Sequence, residues 1–573
     1  MRVTRILACL ALLAATKAQG QPPSRLIPDK ADLVVEVRQP RELVEIITKL
    51  DSFKQLQQFP SVKELLDSTQ YRRFYQLVAY FEKELGADWP ELLDKLAGDG
   101  AALGVKFGPK PILLLAIQGK DEATMKRFVE LAVKVIEQEL NRQEAKGKLE
   151  KNGFDDFEVW SLGKEFHLVL SGKTLLVSNN DMAMQGGLAL VAGKVKNSVA
   201  DLPSYAAAAK LLPKEPMAKL WLNLEEVHKR PETKELYKNP REPALTVIAA
   251  HYIDVFSRSP FLCASFGKEG DEFLTTIRLP SGRTGMGQEK TLHIPADGQA
   301  GSRPLLEPKS VIYSSSFYID VAKIWEDRVA IFGEVNAKNI EMADKNSSKL
   351  PFGNLQLSKL LTQAGPYQRI VVAHQERTGY KKTPKTRLPA FAFVTEMRDP
   401  DNFSKTLEGV LRGAALFGGN QFGMQLVEEK YKDLAIVSYR FDEEKAVKQD
   451  VNDIRFNFTP SFVRVGNQFV VCSTIDLARE LVDLLQAEAK MPAKLIRMTS
   501  TDRFYSAGIA DILEAFEEQL VAQGILDQAI PADEAKQQVK AFIKLVRGLG
   551  SLTEEITFEE KSFRFDLRAK AKK

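Results

Sequence analysis

Several short runs carry side chains that serve elsewhere as phosphate cradles, metal ligands or nucleophiles. Ser171-Gly172-Lys173-Thr174 carries the G-K-T of a phosphate-binding loop. The full pattern needs a glycine where His167 stands and a helix after the threonine, whereas Leu175-Leu176-Val177 continues as strand. The run is expected to be a hairpin turn. Gly98-Asp99-Gly100-Ala101-Ala102-Leu103-Gly104 misses the dinucleotide fingerprint by one position and leads into a strand, so no helix N-terminus awaits a pyrophosphate.

The five histidines, His167, His228, His251, His293 and His374, show no H-x-x-x-H pair, so no helix face presents two imidazoles to a metal. His167 and His374 lie in apolar strands and are expected to be hydrogen-bonded core or edge residues. Asp399-Pro400-Asp401 begins like a calcium loop, but Phe403 takes the next ligand place. Asp399 reads better as a helix N-cap, and Asp121 as its counterpart. No G-x-S-x-G is present, and Ser314, Ser315 and Ser316 fall in a strand between Tyr313 and Phe317. The adjacent carboxylates Asp155-Asp156 and Glu225-Glu226 point apart on any regular backbone. Lys381, Lys382, Lys385 and Arg387 sit in a proline-containing loop and read as a solvated hairpin tip. The sequence thus names no catalytic, cofactor-binding or metal-ligating residue, and no cofactor.

The elements that would position any site follow one plan twice. A strand over Asp32–Val37 precedes a helix from Pro40, as a strand over Ser310–Phe317 precedes a helix from Asp320. The apolar strand Ile112–Ile117 runs into Lys120-Asp121 and a helix, as Phe391–Val394 runs into Arg398-Asp399 and a helix. The hairpin Phe166–Ser178, turning at Gly172, matches Phe462–Ser473, turning at Gly466. A helix near Pro243–Ser257 matches one near Pro531–Arg547, and each half closes on a hairpin. Nine such elements recur in one order, which predicts an internal duplication. The expected fold class is α+β, two tandem copies of one domain, each a mainly antiparallel sheet with packed helices. Residues 21–280 form the first copy and 305–573 the second. Residues 281–304, with five glycines and two prolines, read as a linker.

The N-terminus, 1–20, has the plan of a signal peptide. Arg2 and Arg5 precede an apolar run from Ile6 to Ala15, and Ala18 and Gly20 offer small residues for cleavage after either. Such a run is too short to span a bilayer. Cys9 lies inside it and would be removed, leaving Cys263 and Cys472, expected as buried free thiols. Removal of Arg2, Arg5 and Lys17 takes the balance of 80 basic and 76 acidic residues from +4 to +1. That leaves no electrostatic pull toward nucleic acid. No later run is long and apolar enough to span a membrane.

The stretches Pro28–Val37, Leu96–Val105 and Ile112–Asp121, with the signal peptide, resemble an exported bacterial family known as domain of unknown function 3352. The resemblance implies an exported, duplicated α+β protein and supplies no activity and no catalytic residue. The expected function is that of a soluble protein, periplasmic or extracellular, that binds or scaffolds a protein or small-molecule ligand of the cell envelope without catalysis. The alternative is an exported hydrolase whose active site is assembled from residues distant in sequence.

Overall fold

The computed structural model describes residues 21–573 except 58, 145–146, 239–242, 348–355, 376–378, 448–449, 493–494 and 572–573. The expected signal peptide lies outside the described residues. The chain is an α+β protein that divides into two units. The first runs to Thr233 and resumes over Ser259–Pro280; the second takes Lys234–Arg258 and everything from Ser281.

In the first unit the strands are β1 (Leu33–Val37), β2 (Gly100–Lys106), β3 (Ile112–Gln118), β4 (Glu150–Phe154), β5 (Phe157–Leu162), β6 (Phe166–Ser171), β7 (Thr174–Ser178), β8 (Ala218–Asn223), β9 (Phe261–Glu269) and β10 (Glu272–Leu279). They pair antiparallel in the order β10-β9-β8-β1-β2-β3-β7-β6-β5-β4. β3 reads Ile-Leu-Leu-Leu-Ala-Ile-Gln without alternation because both of its faces are covered. On one side, helices Trp89–Ala97 and Glu122–Arg142 bury Leu96, Met125, Phe128 and Val129 against Leu115, Ile117 and Val177. On the other, helix Asp181–Val191 and the short strap Pro23–Leu26 with Ile27 cover Ala102, Ala116 and Leu176. The strap comes so close that a Cβ on Gly104 would lie 2.4 Å from Ile27 Cγ2.

In the second unit the strands are β11 (Val311–Tyr318), β12 (Ala364–Ala373), β13 (Ala390–Met397), β14 (Met424–Tyr431), β15 (Leu434–Phe441), β16 (Ser461–Val465), β17 (Gln468–Cys472), β18 (Ser500–Tyr505), β19 (Ser551–Phe558) and β20 (Phe563–Lys570). Their order is β20-β19-β18-β11-β12-β13-β17-β16-β15-β14, again antiparallel throughout. Position for position this is the order of the first unit. The caps expected from sequence form as read: Asp121 accepts from the Thr124 amide at 2.6 Å and Asp399 from the Asn402 amide at 3.3 Å. Asp121→Ala should lower stability by about 1 kcal/mol, checked by urea unfolding.

Two features differ from the sequence reading. Helix Pro243–Arg258, expected in the first copy, belongs to the second unit, where His251, Ile253 and Val255 are buried. His251 stacks on His293, with ring centroids 4.4 Å apart, and contacts Phe558. Residues 281–304, expected as a loose linker, are packed into the second unit, where Leu292 and Ile294 are buried. Glycine content masked these anchors because single apolar residues give no periodicity.

Cys263 and Cys472 are free and buried, and burial raises the Cys263 thiol to about 12 and the Cys472 thiol higher still. A chain lacking residues 1–20 should therefore show two thiols reactive to an aromatic disulfide reagent in denaturant and none in native buffer. Rapid native reaction of either thiol would contradict this.

Candidate functional site: a charged cleft in the second unit

The second unit holds an open cleft of about 990 Å³. Its floor is where three strands end. β11 delivers Tyr318 and, just beyond it, Asp320. An irregular register between Ala364 and Gln368 at the start of β12 turns Pro366 and Tyr367 inward, and Arg398 follows β13 at the cap of the next helix. Helix Val321–Glu326 adds Lys323. The outer wall is the stretch from Arg283 to Ala300, held in place by its buried Leu292 and Ile294.

Most of the charges are paired. Arg303 donates to Glu396 Oε2 at 2.8 Å, and its guanidinium lies 4.2 Å from the centre of the Tyr367 ring. Arg398 reaches Asp320 Oδ1 at 2.8 Å, and Arg283 pairs with the exposed Asp297. The Tyr367 hydroxyl donates to the Ala300 carbonyl at 3.0 Å. Lys323 Nζ donates to Thr291 Oγ1 at 2.8 Å, and among the described residues no carboxylate lies within ion-pair distance of it. Burial raises the Tyr318 phenol to about 12 and raises Tyr367 against the opposing charge of Arg303, so both are neutral hydrogen-bonding groups at pH 7. The cleft thus offers planar donors, two neutral phenols, the carboxyl group of Glu560 and, among the described residues, one ammonium without a carboxylate partner. These groups suit the capture of a polar, negatively charged molecule. Among the described residues lining it there is no serine, cysteine or histidine.

The glycine-, serine- and lysine-bearing runs of the sequence lie outside this cleft. Gly172, at φ +54°, makes the turn between β6 and β7. Ser314 Oγ donates to the Leu306 carbonyl, and Ser316 Oγ accepts from the Arg303 amide, so both serines anchor the strap preceding β11. The Lys381 and Lys382 amides donate to Glu443. Among the described residues no group of three or more His, Cys, Asp or Glu side chains is placed to hold a metal.

One constellation was missed. His167, buried in the first unit, has Ser161 Oγ 3.0 Å from Nδ1 and Asp181 Oδ1 3.1 Å from Nε2. Ser161 is its cross-strand neighbour on β5 and Asp181 opens the helix after β7. With the ring proton on Nε2, this is the hydrogen-bond order of a serine–imidazole–carboxylate relay. The register-equivalent pair in the second unit is Ser438 opposite Ser461, with no imidazole. Three residues spread over 161–181 leave no motif, and only the pairing of β5 with β6 reveals them.

No family model and no curated protein matches the chain. Among solved structures, crystal forms I and III of TP0453 are similar over part of it. Their TM-scores are 0.23 and 0.25 at 9% and 10% identity, covering 47% and 51% of this chain and 82% and 90% of theirs.

Proposed function

We propose that this chain is an exported envelope protein that binds an anionic small molecule in the cleft of its second unit and does not transform it. The observation that carries this reading is Lys323, which among the described residues has no carboxylate within ion-pair distance and lines a cavity together with Arg283, Arg303 and Arg398 on one side of the charge balance and Asp297, Asp320 and Glu560 on the other. Calorimetric titration of the leaderless protein at low salt with citrate and with inorganic phosphate should detect binding to at least one. Lys323→Met should weaken it at least about tenfold, or 1.4 kcal/mol. Absence of binding by both probes, or no effect of Lys323→Met, would sink the reading.

Export is part of the same proposal, of the kind the resemblance to domain of unknown function 3352 implies. Produced with its leader in a bacterial host, the protein should be recovered from the envelope fraction with Gln19 or Gln21 as its first residue, determined by N-terminal sequencing.

Duplication is also proposed, supported by equivalent backbone bonds in the two units. The Lys120 and Asp121 amides donate to the Lys95 carbonyl, as the Arg398 and Asp399 amides donate to that of Gln363. The Gly119 amide donates to Lys173 as the Met397 amide does to Asn467. The straps Ser24-Arg25-Leu26-Ile27-Pro28 and Ser302-Arg303-Pro304-Leu305-Leu306-Glu307-Pro308 each precede the first strand of their unit.

The alternative, an exported hydrolase, is favoured by the Ser161–His167–Asp181 relay alone. Against it, His167 is buried and Ser161 nearly so. We read the relay as a latch tying the β5–β6 pair to the helix at Asp181. Labelling of Ser161 by a fluorophosphonate would establish the hydrolase reading instead.

A further inference from the structure

The same strand register has been finished differently in the two units. Counting from the β6–β7 and β16–β17 turns, Leu113 and Leu115 of β3 occupy the places of Phe391 and Phe393 of β13, and Leu103 and Val105 those of Ile370 and Val372. In the first unit this face is covered. Phe81 and Leu85, four residues apart on helix Thr69–Leu85, pack into the cluster that holds Leu113, Leu115, Phe128 and Val177, and the Phe81 and Phe128 rings are 4.9 Å apart. Among the described residues of the second unit, two parts of that cover have no counterpart. Counted from the caps Asp121 and Asp399, the place of Phe128 is taken by Thr406. The helix Arg328–Ser347, kinked at Gly333, buries its Ile331 and Phe332 with Leu292, Val247 and Ile324 instead. Phe391 and Phe393 are left 55% and 42% exposed in the middle of a sheet, flanked by half-buried Ile370, Val372 and Val471, while Leu115 is 2% exposed. Large aromatics clustered on an open sheet face mark an interaction surface.

We propose that this face docks an amphipathic helix of a partner protein, one presenting an aromatic and an aliphatic residue four apart as Phe81 and Leu85 do. The first unit supplies the argument for a helix: on the same register, a helix with that pair completes the cover. Such docking is helix-in-groove recognition read by i and i+4 anchors.

The test uses the full leaderless chain and a fluorescein-labelled synthetic peptide of residues 69–85, followed by anisotropy. Saturable binding on the order of micromolar is expected. It should weaken at least about tenfold when the peptide carries Phe81→Asp with Leu85→Asp, and likewise when the protein carries Phe391→Ser with Phe393→Ser. A peptide with a photoreactive phenylalanine at position 81 should crosslink to residues on β12 or β13, a readout independent of how well the serine variant folds. Failure of the peptide to bind overturns the proposal, and so do crosslinks confined to other segments. Binding of the protein to phosphatidylcholine vesicles that is lost with Phe391→Ser and Phe393→Ser, without peptide binding, would replace the helix with a lipid surface and also overturn it.

Discussion

Lowering the pH from 7 to 5 is expected to destabilise the seat of helix Pro243–Arg258 by about 2 kcal/mol through His251 alone. Burial, reinforced by the neighbouring His293 ring, pushes the His251 imidazole from 6.5 down to about 2, and burial also lowers His293. A group whose folded value lies below its unfolded value takes up protons more readily in the unfolded chain. Its stabilising contribution is therefore present above pH 6.5 and is lost as the pH falls toward the folded value. Each unit of pH below the unfolded value costs about 1.4 kcal/mol, which gives the figure at pH 5. Hydrogen exchange of peptides spanning residues 243–258 reports the opening free energy directly. His251→Phe keeps an aromatic ring beside Phe558 and should flatten the pH dependence by about that amount. Equal pH dependence in the two proteins would show that the stacked pair does not carry the effect.

Lys219→Met should cost about 3 kcal/mol in the first unit, more than any surface substitution. Glu36 is fully buried at the centre of the sheet. It holds Lys219 Nζ at 3.0 Å, the Tyr205 hydroxyl at 3.1 Å and Arg38 Nε at 3.0 Å. Burial works to raise the Glu36 carboxyl. The ammonium of Lys219, the Ser24 hydroxyl and the bond from Arg38 outweigh it, so the carboxyl is held below its ordinary range and is ionised, while burial, opposed by Glu36, lowers the Lys219 ammonium. Removing the ammonium leaves a buried carboxylate with the half-exposed Arg38 as its remaining cation. Replacing both charges, Glu36→Leu with Lys219→Met, should recover most of the loss, because an apolar pair of similar volume no longer has to be desolvated as ions. A double-mutant cycle on urea midpoints measures this. If Lys219→Met costs under about 1 kcal/mol, Arg38 suffices and the lysine is dispensable.

What the sequence made legible is what is local. The caps Asp121 and Asp399 and the turns at Gly172 and Gly466 are readable because a cap or a hairpin turn is decided within four residues. The apolar strands Ile112–Gln118 and Gln468–Cys472 announce themselves by composition. The hairpins Glu150–Leu162 and Met424–Phe441 escaped because Glu150, Lys151, Asn152 and Gly153 are exposed and show no alternation. The cleft escaped for a different reason. Arg283, Lys323, Tyr367 and Arg398 come from four segments, and each reads alone as an ordinary surface residue. The stacked His251 and His293 leave no motif in the sequence, because 42 positions separate them and only the seating of one helix joins them.

That helix has a further consequence, for how the chain is made and how it comes apart. Because Lys234–Arg258 belongs to the second unit while Ser259–Pro280 returns to the first, the backbone passes from one unit to the other three times. During synthesis the helix emerges before any strand of the unit that receives it. The first unit therefore completes itself around an inserted segment whose partners do not yet exist, and that segment waits until His293 and Phe558 have been made. A single protease cut near Ser302 yields fragments of which the C-terminal one lacks a helix it needs. The two units are thus heirs to a shared chain that neither a single nick nor a simple truncation divides.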